Sequence, residues 1–479
     1  MKNNYNIIAK GLIILLVIAG VSCQDLDENP AGISTSANFY ATPAQCEAAF
    51  AASMNDLINA WDYYENWFGL FPDGHHEGET LDIGADYGAD LWKQHYSAIK
   101  NVNAVLKAIK GGSLDSYPDE TDGIIAQAKF LRAFNYFILV RLFGEIPFIT
   151  EDTPDPVNVP LSPESRITVE SLYDNLEADL TFAIENLPDF DISTPARPNL
   201  WTAKALLAKV YLTRATAPLN QTDNYAKARD MADDVIVNGP YSLVTNIEDV
   251  FKTSNKNNSE TIFAFQSTED DPRSPGNTYA PSEYEGWSSG AVLIAWAEAY
   301  PEQPRKHNYI LLDFHETISD LSSPIIHYTE SEDQVPYMGK YNYPNLSYEE
   351  QIGNSLINIP LLRLADVLLM YAEAANMANG GPTQLAVDRL NLIIDRANAG
   401  TGLEQRAEIT MSAEEFDKKV IDERSFELCF EFDRIFDVYR KRLLEEVMPP
   451  ETLVDYNPED YLFPIPAFDA EFIGQNDGY

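Results

Sequence analysis

Aromatic residues crowd one short stretch of the chain, at Trp61, Tyr63, Tyr64, Trp67, Phe68 and Phe71. The stretch runs on into an acidic, glycine-containing segment that holds Asp73, Glu77, Asp82, Tyr87 and Asp90. A second group, Tyr279, Tyr284, Trp287, Trp296 and Tyr300, lies in sequence rich in Ser, Gly and Pro. Flat rings offer a stacking surface to apolar C–H faces, and carboxylates accept hydrogen bonds from hydroxyls; a sugar ring displays both features. Tyr64, Trp67, Phe71, Tyr87, Tyr284, Trp287 and Trp296 are therefore the candidate ligand contacts. Trp61, Phe68 and Trp92, the last expected to open a helix, are assigned to the core, because rings carried on helices are mostly buried.

Other chemistries find less support. His75-His76-Glu77 has neighbouring metal-ligand side chains but no second ligand pair at a defined spacing, so no metal is assigned. The nearby carboxylates lack the regular spacing of a calcium loop, and no cofactor is expected. There is no GxSxG elbow, HExxH helix or phosphate loop. A glycosidase needs two carboxylates about 5–10 Å apart, and among 75 Asp+Glu the sequence does not exclude such a pair. No catalytic residue is assigned. Cys46 and Cys429 stand among apolar neighbours and read as buried thiols, not as a disulfide framework.

The balance of 33 Lys+Arg against 75 Asp+Glu gives a net charge of −42 over 479 residues. Nucleic-acid binding draws its affinity from cations that neutralise phosphates, so DNA and RNA are poor partners for this chain, and neutral ligands fit best. The N-terminus carries Lys2 and Lys10, then the apolar run Leu12–Ala19, then Gly20-Val21-Ser22-Cys23. That run is shorter than the roughly 20 residues of a spanning helix and reads as a signal peptide. Small residues ahead of Cys23 resemble a lipoprotein processing site, which makes Cys23 the lipidation candidate. Several acyl chains, at about 0.8 kcal/mol per buried CH₂, would anchor the protein durably.

The elements that must carry these groups are mainly helical. Thr42-Pro43-Ala44-Gln45 predicts a capped helix start, with the helix continuing to about Trp61. Apolar residues recur at helical steps in four further places: Tyr96 to Ile109, Leu131 to Leu142, Leu361 to Ala372 and Phe432 to Leu443. The Leu131 stripe stops where Gly144 and Pro147 break the helix. Ala133/Tyr136, Ala208/Tyr211 and Leu368/Tyr371 share a spacing found in tetratricopeptide helix pairs, and second helices are expected at 225–235 and 385–397. The intervals are too long for a tandem array, which implies interrupted repeats. From about 246 to 355 the helical period is lost, with Thr261–Phe265 as a short buried strand among long loops. The tail from 447 is expected to be non-helical.

Leu131-Arg132-Ala133-Phe134-Asn135-Tyr136-Phe137, with Val140-Arg141-Leu142-Phe143-Gly144-Glu145-Ile146-Pro147, is similar to the signature helix and exit of the SusD/RagB family of outer-membrane nutrient-binding lipoproteins. The segment from Pro360 to Ala374, with Arg363 and Asp366, is similar to its most specific block, and Asp422-Glu423-Arg424-Ser425-Phe426-Glu427-Leu428 to the next. Phe463-Pro464-Ile465-Pro466 and Gln475-Asn476-Asp477-Gly478-Tyr479 resemble the closing motifs. One block departs: Phe432-Asp433-Arg434-Ile435-Phe436-Asp437 stands where the family commonly has Gly-His-Arg-Trp before Phe-Asp. The resemblance implies a mainly α fold, with four tetratricopeptide-like helix pairs packed against a loop-rich half containing little β structure. The corresponding regions are a signal peptide at 1–22, helical segments at 23–245 and 356–446, a loop-rich insertion at 246–355 and a closing tail at 447–479.

The resemblance also implies a lipid-anchored protein on the outer membrane, binding oligosaccharides without catalysis and working with a SusC-like TonB-dependent transporter. Arg363 and Asp366 then belong to the fold rather than to a site. A peptide cargo and a helical protein-binding adaptor are the alternative readings.

Overall fold

The computed structural model describes residues 39–68, 85–154, 161–188, 194–269, 280–284, 286, 288, 290–317, 320, 322–341, 356–431, 433–447, 461–477 and 479, with the backbone alone at 61–68 and 85–87. The first helix, α1 (Pro43–Phe68), begins where its sequence predicts and runs past Trp61. Thr42 Oγ1 accepts from Gln45 N at 3.4 Å, while Gln45 Oε1 accepts from Ala41 N at 3.0 Å, so the capping exchange is displaced by one residue. Cys46, Ala49, Phe50, Ser53, Leu57 and Ala60 recur at steps of three and four and form its buried stripe. That stripe meets α2 (Ala85–Lys110), where Ser53 Oγ donates to Ala98 O at 3.3 Å. Trp92 is buried as expected, although it lies within α2 instead of opening it.

Three further helices follow: α3 (Pro118–Phe143), α4 (Val169–Asn186) and α5 (Leu200–Arg214). Every residue of α3 from Phe130 to Val140 is buried. The helix is long and apolar enough to cross a membrane, but its apolar residues face other helices of the fold. Thr168 caps α4 by accepting from Ser171 N, and Asn199 caps α5 by accepting from Trp201 N at 2.9 Å and Thr202 N at 3.0 Å. Next in the array comes α6 (Asn224–Asn238).

After α6 the chain enters the insertion, which includes the short helices α7 (Ile294–Ala299) and α8 (Pro304–Tyr309). It then forms α9 (Leu364–Asn379), α10 (Gln384–Asn398) and α11 (Ala413–Glu427). Gly380 ends α9 in the left-handed conformation (φ 70°) that glycine adopts at no steric cost.

Packing sorts these helices into pairs α1/α2, α3/α4, α5/α6 and α9/α10, joined side by side through α2/α3, α4/α5 and α6/α9. The interrupted-repeat reading is thereby confirmed. Ala133, Tyr136, Ala208, Tyr211, Leu368 and Tyr371 are all buried. Sequence periodicity found the second helices of the last two pairs but not α4, which follows α3 only after a long connection. The fold is mainly α with little sheet.

The insertion is carried on a two-stranded stem. Thr261–Phe265 pairs antiparallel with Ile359–Arg363, from Thr261 opposite Arg363 to Phe265 opposite Ile359, and both strands are wholly buried. Leu361 therefore belongs to a strand, correcting the helical stripe predicted from it; the helix starts at Leu364. Two corrections apply to the C-terminal part. Helix α12 (Arg434–Lys441) ends with Arg442 at φ 59°, leaving Leu443 outside it and just ahead of the short α13 (Leu444–Val447). The tail contains a helix, α14 (Ala467–Ile473).

The closing motifs fasten the tail to the helical array. Asn476 Nδ2 donates to Phe143 O (3.1 Å) and Phe463 O (2.7 Å), and its Oδ1 accepts from Arg166 Nη2 at 2.5 Å. Phe463 N donates to Leu142 O at 2.6 Å. The Trp92, Phe143 and Phe463 rings meet edge to face, and Trp92 Nε1 donates to Asp469 at 2.8 Å.

Candidate functional site

The structure divides the candidate ligand contacts into three kinds. Tyr64 and Trp67 sit on the last turns of α1 and Tyr87 on the first turn of α2, so the aromatic–acidic segment springs from one end of the first helix pair. Phe71 and Trp287 lie outside the described residues, as do His75-His76-Glu77 and Cys23. Tyr284 and Trp296 are described: Tyr284 is buried inside the insertion, and Trp296 is half-buried where the insertion meets α11.

Tyr284 is 1% exposed; its ring meets Phe314 edge to face, and its hydroxyl accepts from His315 N at 3.1 Å. Trp296 packs among Tyr300, Phe426 and Phe430 and donates from Nε1 to Ser425 Oγ at 3.0 Å. Stacking on a sugar requires an open ring face; Tyr284 is covered on the inside of the insertion, whereas Trp296 is only half-buried. The reason is physical: with only short helices and ladders, the insertion builds its core from rings, and Tyr284 and Tyr337 share one apolar cluster.

A buried ion network fastens the insertion to the helical body. Arg305 on α8 donates to Glu423 (2.6 Å) and Glu427 (2.7 Å) on α11 and to Glu404 (3.3 Å). Lys340 donates to Glu427 O (2.9 Å), Cys429 O (2.8 Å) and Glu431 (2.6 Å). Arg363, at the end of the stem, reaches Glu260, Glu427 and Glu431, each at 2.7 Å. Asp366 pairs with Lys209 and Arg424, each at 2.7 Å. Arg363 and Asp366 are thus fold residues, as the sequence implied.

Burial by itself would raise the Glu427 carboxyl, but Arg396, Arg363 and Arg305 outweigh it and hold the group well below the usual carboxylate range. Glu423 goes the other way. Burial, aided by Glu404 and only partly opposed by Arg305, pushes it up to about 8, so it keeps its proton at neutral pH.

Between the helical body and the stem lies a cleft of about 340 Å³ that sequence reasoning did not foresee. One wall is α1 with Met54, Asn55 and Ile58; the others are Gln127 and Leu131 of α3 and the strand exit at Phe265 and Gln266. With Arg197, which also borders the cleft, the lining comes from four distant parts of the chain. The one hint in the sequence was that α1 continues directly into the aromatic cluster. Among the described residues, no group of His, Cys, Asp and Glu could hold a metal ion.

Comparison with known proteins gives the fold a family. A profile described as "Starch-binding associating with outer membrane" matches residues 29–212, and one described as "SusD family" matches 247–467. The SusD-like protein P2 of Formosa agariphila is 30% identical, covering 95% of this chain and 95% of its own. The chain belongs to the SusD family. A SusD superfamily crystal structure from Bacteroides vulgatus superposes with a TM-score of 0.78 at 18% identity, covering 92% of this chain and 100% of that one. A laminarin-binding SusD-like protein superposes with a TM-score of 0.67 at 23% identity, covering 91% and 100%. The profile over residues 29–212 is described by starch and this neighbour by laminarin, and neither description names a catalytic activity.

Proposed function

We propose that this SusD-family chain is a lipid-anchored protein of the outer membrane that binds a neutral oligosaccharide and passes it to a SusC-like TonB-dependent transporter. The observation that carries the reading is the family match across both halves of the chain, shared with a relative that is 30% identical over nearly its whole length. Three features agree with it. Aromatic residues stand where the first helix pair ends and again within the insertion, and their flat rings suit the C–H faces of sugars. Cys23 follows a short apolar run. A structural neighbour is itself named for laminarin binding.

The test is to titrate the mature protein with laminari-, malto- and xylogluco-oligosaccharides and, separately, to purify it from membranes in mild detergent. Binding of at least one glycan without cleavage, together with co-isolation of a large β-barrel protein, is the expected result. A peptide cargo is the second reading, favoured by the net charge of −42, which would attract cationic peptides. Binding that weakens steeply with salt separates it from stacking on a neutral sugar.

A further inference from the structure

We infer that the cleft between α1, α3 and the exit of the stem strand is a binding subsite for an uncharged sugar unit at one end of the oligosaccharide; this rests on the glycan-binding reading above. The lining has the two kinds of surface that a sugar requires. Met54 and Ile58 supply apolar contact for a C–H face, and Asn55, Gln127 and Gln266 supply amides for hydroxyls.

Two of those amides are held in place before any ligand arrives. Gln127 Nε2 donates to Glu47 Oε1 at 3.2 Å. Gln266 Nε2 donates to Ala264 O at 3.3 Å, and its Oε1 accepts from Asn358 Nδ2 at 3.1 Å. Polar groups fixed in advance lose little freedom on binding, which is how a small site gains specificity.

Charge narrows the choice of ligand further. The two ionic residues at the cleft, Glu47 and Arg197, pair with each other, so the lining carries no net charge in a chain whose total is −42. Such a surface offers no counter-ion to an anionic sugar and no uncompensated carboxylate to a cationic peptide. The volume, about 340 Å³, lies at the lower end of the roughly 300–1,000 Å³ of small-molecule pockets, which fits a short saccharide better than a protein segment.

The test uses the mature protein, the three oligosaccharide series named above and titration calorimetry. Ala51 is an exposed helical position on the cleft wall, so Ala51→Trp blocks the cleft without touching the core. It is expected to weaken the best-bound oligosaccharide at least tenfold with the melting temperature unchanged, and Gln266→Ala to weaken it several-fold. Unchanged affinity in both variants, for a glycan that the unmodified protein binds, overturns the inference and leaves the glycan reading standing. Failure of the unmodified protein to bind any of the glycans overturns that reading and this one together. Tighter glycan binding on deletion of residues 24–38 would make the leader the occupant of the cleft and also overturn it.

Discussion

Arg363 and Glu427 meet at 2.7 Å in the protein interior, the first at the end of the stem strand and the second at the end of α11. Each is shared: Glu427 also takes Arg305 and Arg396, and Arg363 also takes Glu260 and Glu431. The pair therefore ties three things together, namely the insertion, its stem and the last helix pair. Charges taken this far from water persist only when each is matched, so loss of one partner strands the others.

Glu427→Ala should accordingly destabilise the protein by about 3–5 kcal/mol, since three guanidinium groups lose a shared carboxylate. Urea unfolding followed by tryptophan fluorescence measures this. A midpoint equal to that of the unmodified protein would mean that the network does not secure the insertion.

Acid should loosen the same network. Glu427, Glu373 and Asp366 are each pushed up by burial but pulled down further by neighbouring Arg and Lys, so their folded values lie below the unfolded ones. Their contribution is present above about pH 4.5, the ordinary glutamate range, and is lost as pH falls towards the folded values. His95 adds to this: burial lowers it to about 4, so its contribution is present above about 6.5 and fades as pH falls from there. With the opposing contribution of Glu423 removed by Glu423→Gln, thermal melts from pH 7 to 4 should show a progressive fall in midpoint.

Glu423 has the opposite sign. Its folded value of about 8 lies above the usual 4.5, so its contribution is full below pH 4.5 and is lost as pH rises to about 8. Glu423→Gln keeps the shape and carries no proton to lose. The variant should gain stability relative to the unmodified protein as pH rises across that window; parallel melting curves for the two would contradict the assignment of the proton.

The tail clamp is testable through Asn476. In Asn476→Ala the carbonyls of Phe143 and Phe463 lose their donor, at a cost of about 1–3 kcal/mol. Limited proteolysis should then cut within 461–479 sooner, with the helical array remaining intact. Equal cutting rates would place the clamp elsewhere.

Much of this fold was legible in the sequence because it obeys local rules. The caps at Thr42 and Gly144, the small-residue/tyrosine spacing of α3, α5 and α9, and the short buried strand at Thr261 act over a few residues and announce themselves. What stayed hidden depends on long-range pairing. Leu361 fits a helical stripe until its strand partner is known, and α4 has no fixed distance from α3. The site divides in the same way. Aromatic composition singled out Tyr284 and Trp296, but whether a ring is platform or core depends on what covers it: Phe314 and its neighbours enclose Tyr284, whereas Trp296, against Phe426 and Phe430, is only half-buried. The cleft walls at Met54, Gln127 and Gln266 meet only in the folded chain.

Replacing Cys23 with Ala should move the protein from the membrane to the soluble fraction, because the acyl chains proposed there are its anchor. Fractionation followed by immunoblotting reads the outcome. Retention with unchanged detergent behaviour would remove Cys23 from that role.

The most direct test of the central claim is titration calorimetry of the mature protein and its Trp67→Ala and Trp287→Ala variants with the oligosaccharide that it binds best. Loss of a well-covered stacking ring is worth about 1–3 kcal/mol, roughly a five- to hundredfold drop in affinity. At least one variant should fall in that range, with folding intact and little dependence on salt. Unmodified affinity in both variants, or binding that collapses with added salt, would contradict a neutral oligosaccharide held by these rings.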